Sequence, residues 1–198
     1  MRRNHGLRQR IAQEAARIMT EDHVSDFHAA KLKAARRLGI HGERDMPRNR
    51  EIEQALLEYR SLFQSDAEAE YLRHLRRTAL QAMTLFRSFR PRLVGAVLKG
   101  TAGSHAAVGL HLFADAPEEV SFHLMERGIP YELDERRLRM RAGGEYQAFP
   151  LYRFMAGDVP MELTVFPSGT SGHAPISPVD GRPMRRAGRS EVEALLDE

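Results

Sequence analysis

Hydrophobic periodicity changes character at Pro91, and this change constrains the fold more than any single motif. Before it, apolar residues recur at helical spacing; after it, they cluster in short runs bounded by glycine. A 3.6-residue period builds amphipathic helices, whereas short apolar runs between turn residues build buried strands. The chain therefore predicts an α+β protein, with a helical N-terminal segment packed on a small mixed β-sheet. Three parts follow: a helical region over 1–90, an α/β core over 91–168, and a loop-rich tail with a short C-terminal helix over 169–198.

In the first part, Ile11, Ala15, Ile18 and Met19 form one stripe, and Phe27, Ala30, Leu32, Ala35 and Leu38 form another, with Gly39 as a stop. Thr20 to Asp26 divides them, with Ser25 or Asp26 as the cap of the second helix. Residues 39–49, with Gly42 and Pro47, read as a connection. A helix from Asn49 to Gln64 carries Ile52, Leu56, Tyr59 and Phe63 on one face. Ser65 and Glu68 have capping-box spacing and open a long helix with Leu72, Leu75, Ala79, Met83 and Phe86 in line.

In the second part, Leu93–Leu98 predicts a buried strand feeding a glycine-rich turn, Gly100-Thr101-Ala102-Gly103-Ser104. Val108–Phe113 predicts a second strand. Asp115 as cap, Pro117 in the first turn and Glu118 as capping-box partner predict a helix that Gly128 ends. Residues 129–133 and 137–140 predict two short strands, and 148–155 and 159–166 a hairpin around Gly157-Asp158. Pro167–Gly188 has little periodicity. Ser190 and Glu193 suggest a capping box for a last helix reaching Leu196.

Composition narrows the chemistry. The 198 residues include no cysteine, so thiolate metal sites, disulfides and cysteine nucleophiles are excluded. No apolar run approaches the ~20 residues needed to cross a bilayer, and no apolar stretch follows the basic start Met1-Arg2-Arg3. A cytoplasmic, membrane-free protein is the expectation. All but three of the 30 basic residues are arginines, against 27 acidic ones, for a net charge of +3. That balance is not a strong nucleic-acid footprint, though arginine forks suit phosphates.

The order strand, Gly-Thr turn, strand, helix, then a later strand with a central carboxylate is similar to the polymerase-β-type nucleotidyltransferase fold, from about Leu93 to Phe166. The whole chain also resembles a bacterial family of predicted nucleotidyltransferases. Leu110-His111-Leu112-Phe113, Arg127-Gly128-Ile129-Pro130-Tyr131 and Ser177-Pro178-Val179-Asp180-Gly181-Arg182-Pro183-Met184 carry that likeness.

The resemblance implies Mg²⁺ and NTP as cofactors. Nucleotidyl transfer concentrates negative charge on oxygens that divalent ions bridge, and carboxylates on rigid strands hold those ions. It places the phosphate turn at Gly100, Thr101, Gly103 and Ser104, with Arg137 and Arg139 as charge clamps. The family's carboxylate pair falls on Ala107 and Gly109, neither of which can ligate a metal, and Glu162 matches the third carboxylate. His105, His111 and Asp115 are the nearby substitutes, imidazole being the poorer ligand for Mg²⁺.

The expectation is thus a divergent nucleotidyltransferase, catalytically impaired by the loss of its Asp-x-Asp pair, with Glu162 as its remaining catalytic carboxylate. The alternative is a non-catalytic module binding nucleotide, RNA or protein. Arg182, Arg185, Arg186 and Arg189 offer an RNA or acidic-partner contact, or a solvated tail. Arg137, Arg139 and Arg141 equally suit a charged edge strand.

Overall fold

The computed structural model describes residues 2–22, 24, 26–40, 45–63 and 65–197. The chain divides into two compact units: residues 1–69 with 178–180, and residues 70–177 with 181–198. This division falls inside the long helix, whereas the sequence pattern draws it near residue 90.

The first unit holds α1 (Arg2–Glu21), α2 (Phe27–Arg37) and α3 (Asn49–Phe63). Ile11, Ala15, Ile18, Ala30, Ala34, Ile52 and Leu56 form its core. The Asp26 carboxylate accepts the Ala29 amide at 2.6 Å and starts α2; Ser25 lies outside the described residues, as do residues 41–44 and Gln64. Gly39 stops α2 with φ +67°, a left-handed turn that glycine adopts without steric cost.

α4 (Asp66–Leu85) begins with the expected capping box. The Ser65 amide donates to Glu68 at 2.9 Å, and the Glu68 amide to the Ser65 hydroxyl at 3.2 Å. From Glu70 onward the helix belongs to the second unit, which continues through β1 (Arg92–Val94), α5 (Gly95–Lys99), β2 (Val108–Ala114), α6 (Glu118–Met125), β3 (Glu132–Arg139), β4 (Tyr146–Ala156), β5 (Val159–Pro167) and α7 (Arg189–Ala194). The sheet order is β1-β2-β5-β4-β3. β2 and β5 are parallel, and every other neighbouring pair is antiparallel.

Alternation gives the sheet two unlike faces. The first presents Leu110, Leu112, Leu163, Val165, Tyr152 and Phe154, which pack with Leu75 and Met83 of α4, Val97 of α5, Val120 and Leu124 of α6, and Val192 of α7. The second carries Gly109, His111 and Phe113 on β2 and Glu162, Thr164 and Phe166 on β5. Across it runs the segment after β5. Its Ile176 amide donates to the Arg139 carbonyl at 2.7 Å, at one edge of the sheet, and its Ala187 bridges Leu93 at the other.

Several local expectations change. The apolar run 93–98 is a strand only to Val94; Gly95 turns at φ +76° and the rest coils into α5. Short buried helix and strand carry the same continuous apolar pattern, so periodicity could not separate them. Asp115 does not cap α6. Its carboxylate accepts the Ser168 hydroxyl, Pro117 takes the cap position, and the Ala116 amide donates to Glu119, not Glu118, at 2.9 Å. The two short strands expected over 129–140 are one strand, β3. The last helix is opened by Gly188, whose amide donates to Glu191 at 2.9 Å, and it ends at Ala194. Residues 167–177 and 181–188 are tied down by backbone bonds at both sheet edges, not a solvated tail.

Candidate functional site

The parallel pairing of β2 with β5 sets Gly109 opposite Glu162. Ala107, two residues upstream, lines a concavity of about 450 Å³ together with Tyr131, Arg153, Phe154, Met161 and Glu162. Ala107, Gly109 and Glu162 therefore come together at one end of the sheet. What surrounds the single carboxylate decides what that end can do.

Glu162 is held by two arginines. Arg136 on β3 reaches it at 2.7 Å, and Arg153 on β4 at 3.3 Å. Arg153 also meets Asp134 at 2.5 Å. Asp134 is held below the usual carboxylate range, first by the Glu135 amide and then by Arg153; Arg153 is raised in turn, chiefly by Asp134. Two carboxylates face two guanidiniums, so the network closes on itself without surplus negative charge.

These residues do not fit the metal pair that the resemblance implies. Mg²⁺ needs oxygen ligands with negative charge to spare. Ala107 and Gly109 have no side-chain donor, and the Glu162 oxygens already accept guanidinium hydrogens. Gly109 also has little room: a Cβ there would meet Val94 Cγ2 at 3.3 Å. Among the described residues, no group of three or more His, Asp or Glu side chains is placed to hold a metal ion.

The other expected site residues are placed as follows. Gly100 ends α5 at φ +76° with its amide on the Ala96 carbonyl, and the Thr101 amide joins the same carbonyl at 2.9 Å. Two amides of the expected phosphate turn are thus spent on closing a helix. Gly103, Ser104 and His105 are exposed in the turn that follows. Arg137 and Arg139 lie exposed on the edge strand β3, where alternation turns them away from Glu162, and Arg139 stacks on Tyr146 at 4.3 Å. Asp115 follows β2 at its far end, six residues from Gly109 and so roughly 20 Å along the strand. It is no substitute ligand for a metal at Glu162.

His111 occupies the middle of the second face, 1% exposed. The Arg186 Nε donates to its Nδ1 at 2.9 Å, so the neutral ring carries its proton on Nε2. Burial, and then the charges of Arg186 and Arg136, push its pKa down to about 3. A histidine surrounded by cations is a poor metal ligand. Arg186 also donates to the Ser171 and His173 carbonyls and lies 5.0 Å from the Phe113 and Phe166 rings. Burial, and after it the Arg92 charge, lower its pKa to about 10.

The residues to which sequence reasoning gave no role are Arg136 and Arg153, which hold Glu162, and Arg92 and Thr164, the register partners of His111; Arg186, read only as one of several tail arginines, lies on that histidine. Arg136 and Glu162 are 26 positions apart and are united by strand register; Arg186 and His111 are 75 apart and are united by the path of the segment after β5. No family model matches the chain, and neither does any curated protein or solved structure.

Proposed function

We propose that this is a nucleotidyltransferase-like protein in which ordinary two-metal transfer is lost. The observation that carries the reading is the pairing of Glu162 with Arg136 and Arg153. A metal-binding strand carboxylate must present free oxygens, yet this one is the acceptor in an arginine network. Supporting the nucleotidyltransferase type is the arrangement around it: a short strand, a Gly-Thr turn, and two parallel strands that set Gly109 beside Glu162.

The test is incubation with each labelled NTP, Mg²⁺ or Mn²⁺, and total cellular RNA or protein. The expected result is no label transfer above a protein-free blank. Transfer that Glu162→Ala abolishes would overturn the loss of catalysis and restore Glu162 as a catalytic carboxylate.

The second reading, a non-catalytic module for nucleotide, RNA or protein, is favoured by the arginines that gather on the second sheet face. A nucleotide that raises the melting temperature without turning over supports it.

A further inference from the structure

The second sheet face holds a group of polar side chains that the Glu162 network does not explain. Arg92 on β1 and Thr164 on β5 are the register partners of His111 from its two sides. Arg186 lies against the same histidine at 2.9 Å. Three features of this group demand a counter-ion.

Neither Arg92 nor Arg186 forms an ion pair with any described residue, yet they are close enough that the Arg92 charge lowers the basicity of Arg186. The Arg186 Nη2 is buried without a hydrogen-bond partner. The Thr164 hydroxyl is likewise buried and unpartnered, in a side chain that is 1% exposed. Buried donors left unmade, and like charges brought together without a direct ion pair, are each unfavourable unless something satisfies them. His111 cannot do so, because its Nδ1 is already taken by Arg186 Nε. The Ser171 and His173 carbonyls take only Nη1. Arg92, on the β1 side of the group, is exposed.

We propose that Arg92, Arg186 and Thr164 form a binding site for a small tetrahedral oxyanion of the phosphate class. Guanidinium forks match tetrahedral oxyanions in geometry and charge, and the threonine hydroxyl supplies a further donor. Phe113 and Phe166 form the apolar wall against which Arg186 is stacked, keeping the guanidinium in place before the anion arrives. The proposal does not depend on the nucleotidyltransferase reading, since none of its residues belongs to the Glu162 network.

The test is calorimetric titration of the full chain with inorganic phosphate, against chloride at matched ionic strength. Wild type is expected to give saturable binding with a stoichiometry of one. Arg92→Gln, at an exposed position, is expected to weaken it about tenfold, the loss of one charge-assisted hydrogen bond. Thr164→Val gives a second signature. Without phosphate it removes an unsatisfied buried hydroxyl and should melt higher than wild type; in phosphate it should gain less than wild type does. No saturable heat, an unsaturating rise shared by every variant, or binding that both substitutions leave unchanged would each overturn the site. If phosphate binds as proposed, a nucleoside monophosphate compared with its nucleoside tells whether the anion is free or an ester.

Discussion

The two faces of one five-stranded sheet have been put to opposite uses. On the first, Leu110, Leu112, Leu163 and Val165 disappear beneath α4, α5, α6 and α7. On the second, the residues immediately next to them in sequence include His111, Glu162 and Phe166, which meet arginines, and Thr164, whose buried hydroxyl has no partner. A strand's period of two makes this possible: one residue of β5 packs beneath helices while its neighbour enters a polar layer on the other face. The contrast teaches that polar residues in the middle of this sheet are not errors in a core. They belong to a second, largely buried layer around Phe113, Phe149 and Phe166 with its own electrostatic logic.

The sharpest way to break this comparison is to truncate neighbours on β5. Leu163→Ala opens a cavity in the helix-covered face and is expected to cost about 3 kcal/mol in denaturant unfolding, whereas Thr164→Val is expected to cost nothing or to stabilise. Equal losses at both positions would mean that the faces do not differ.

His111 provides the next largest effect. Its folded pKa lies near 3, below the ordinary ~6.5 of an unfolded histidine. Below pH 6.5 the unfolded chain therefore binds a proton that the folded chain refuses, and stability falls as pH drops towards 3. At pH 5 the loss is about 2 kcal/mol. His111→Gln should flatten that part of the stability–pH curve, and an unchanged slope would show that the histidine is not held neutral by burial and by the charges of Arg186 and Arg136.

Gly109→Asp restores a carboxylate where the family resemblance places one, but its Cβ must displace Val94 Cγ2 at 3.3 Å. A lower melting temperature, equivalent to about 1.5 kcal/mol, is expected from thermal melts; a neutral result would show that β1 yields easily. The smallest test compares adjacent arginines on β3. Arg136→Ala removes the shorter of the two arginine contacts to Glu162 and should cost about 1 kcal/mol. Arg137→Ala, exposed on the opposite side, should fall within ~0.5 kcal/mol of wild type.

What the sequence made legible follows from range. The α3 helix, the α4 capping box and the β4–β5 hairpin depend on residues within a few positions of one another, and all three stand as expected. The meeting of Ala107 and Gly109 with Glu162 rests on a family resemblance, since spacing alone cannot bring residues on β2 and β5 together. β3 was harder to see, because an edge strand with charge on both faces has no alternation to detect. Arg136 was hidden for the same reason: one step of register separates it from Arg137 and decides which of them reaches Glu162. Arg186 was indistinguishable from its neighbours Arg182, Arg185 and Arg189, since only the path of the chain after β5 brings it to His111.

The central claim is that Glu162 is bound to arginines and is not offered to a cation. Calorimetric titration of the full chain with Mn²⁺, repeated on Glu162→Gln, tests it most directly. The account predicts no saturable binding in either protein. Stoichiometric Mn²⁺ binding by wild type that Glu162→Gln removes would contradict it.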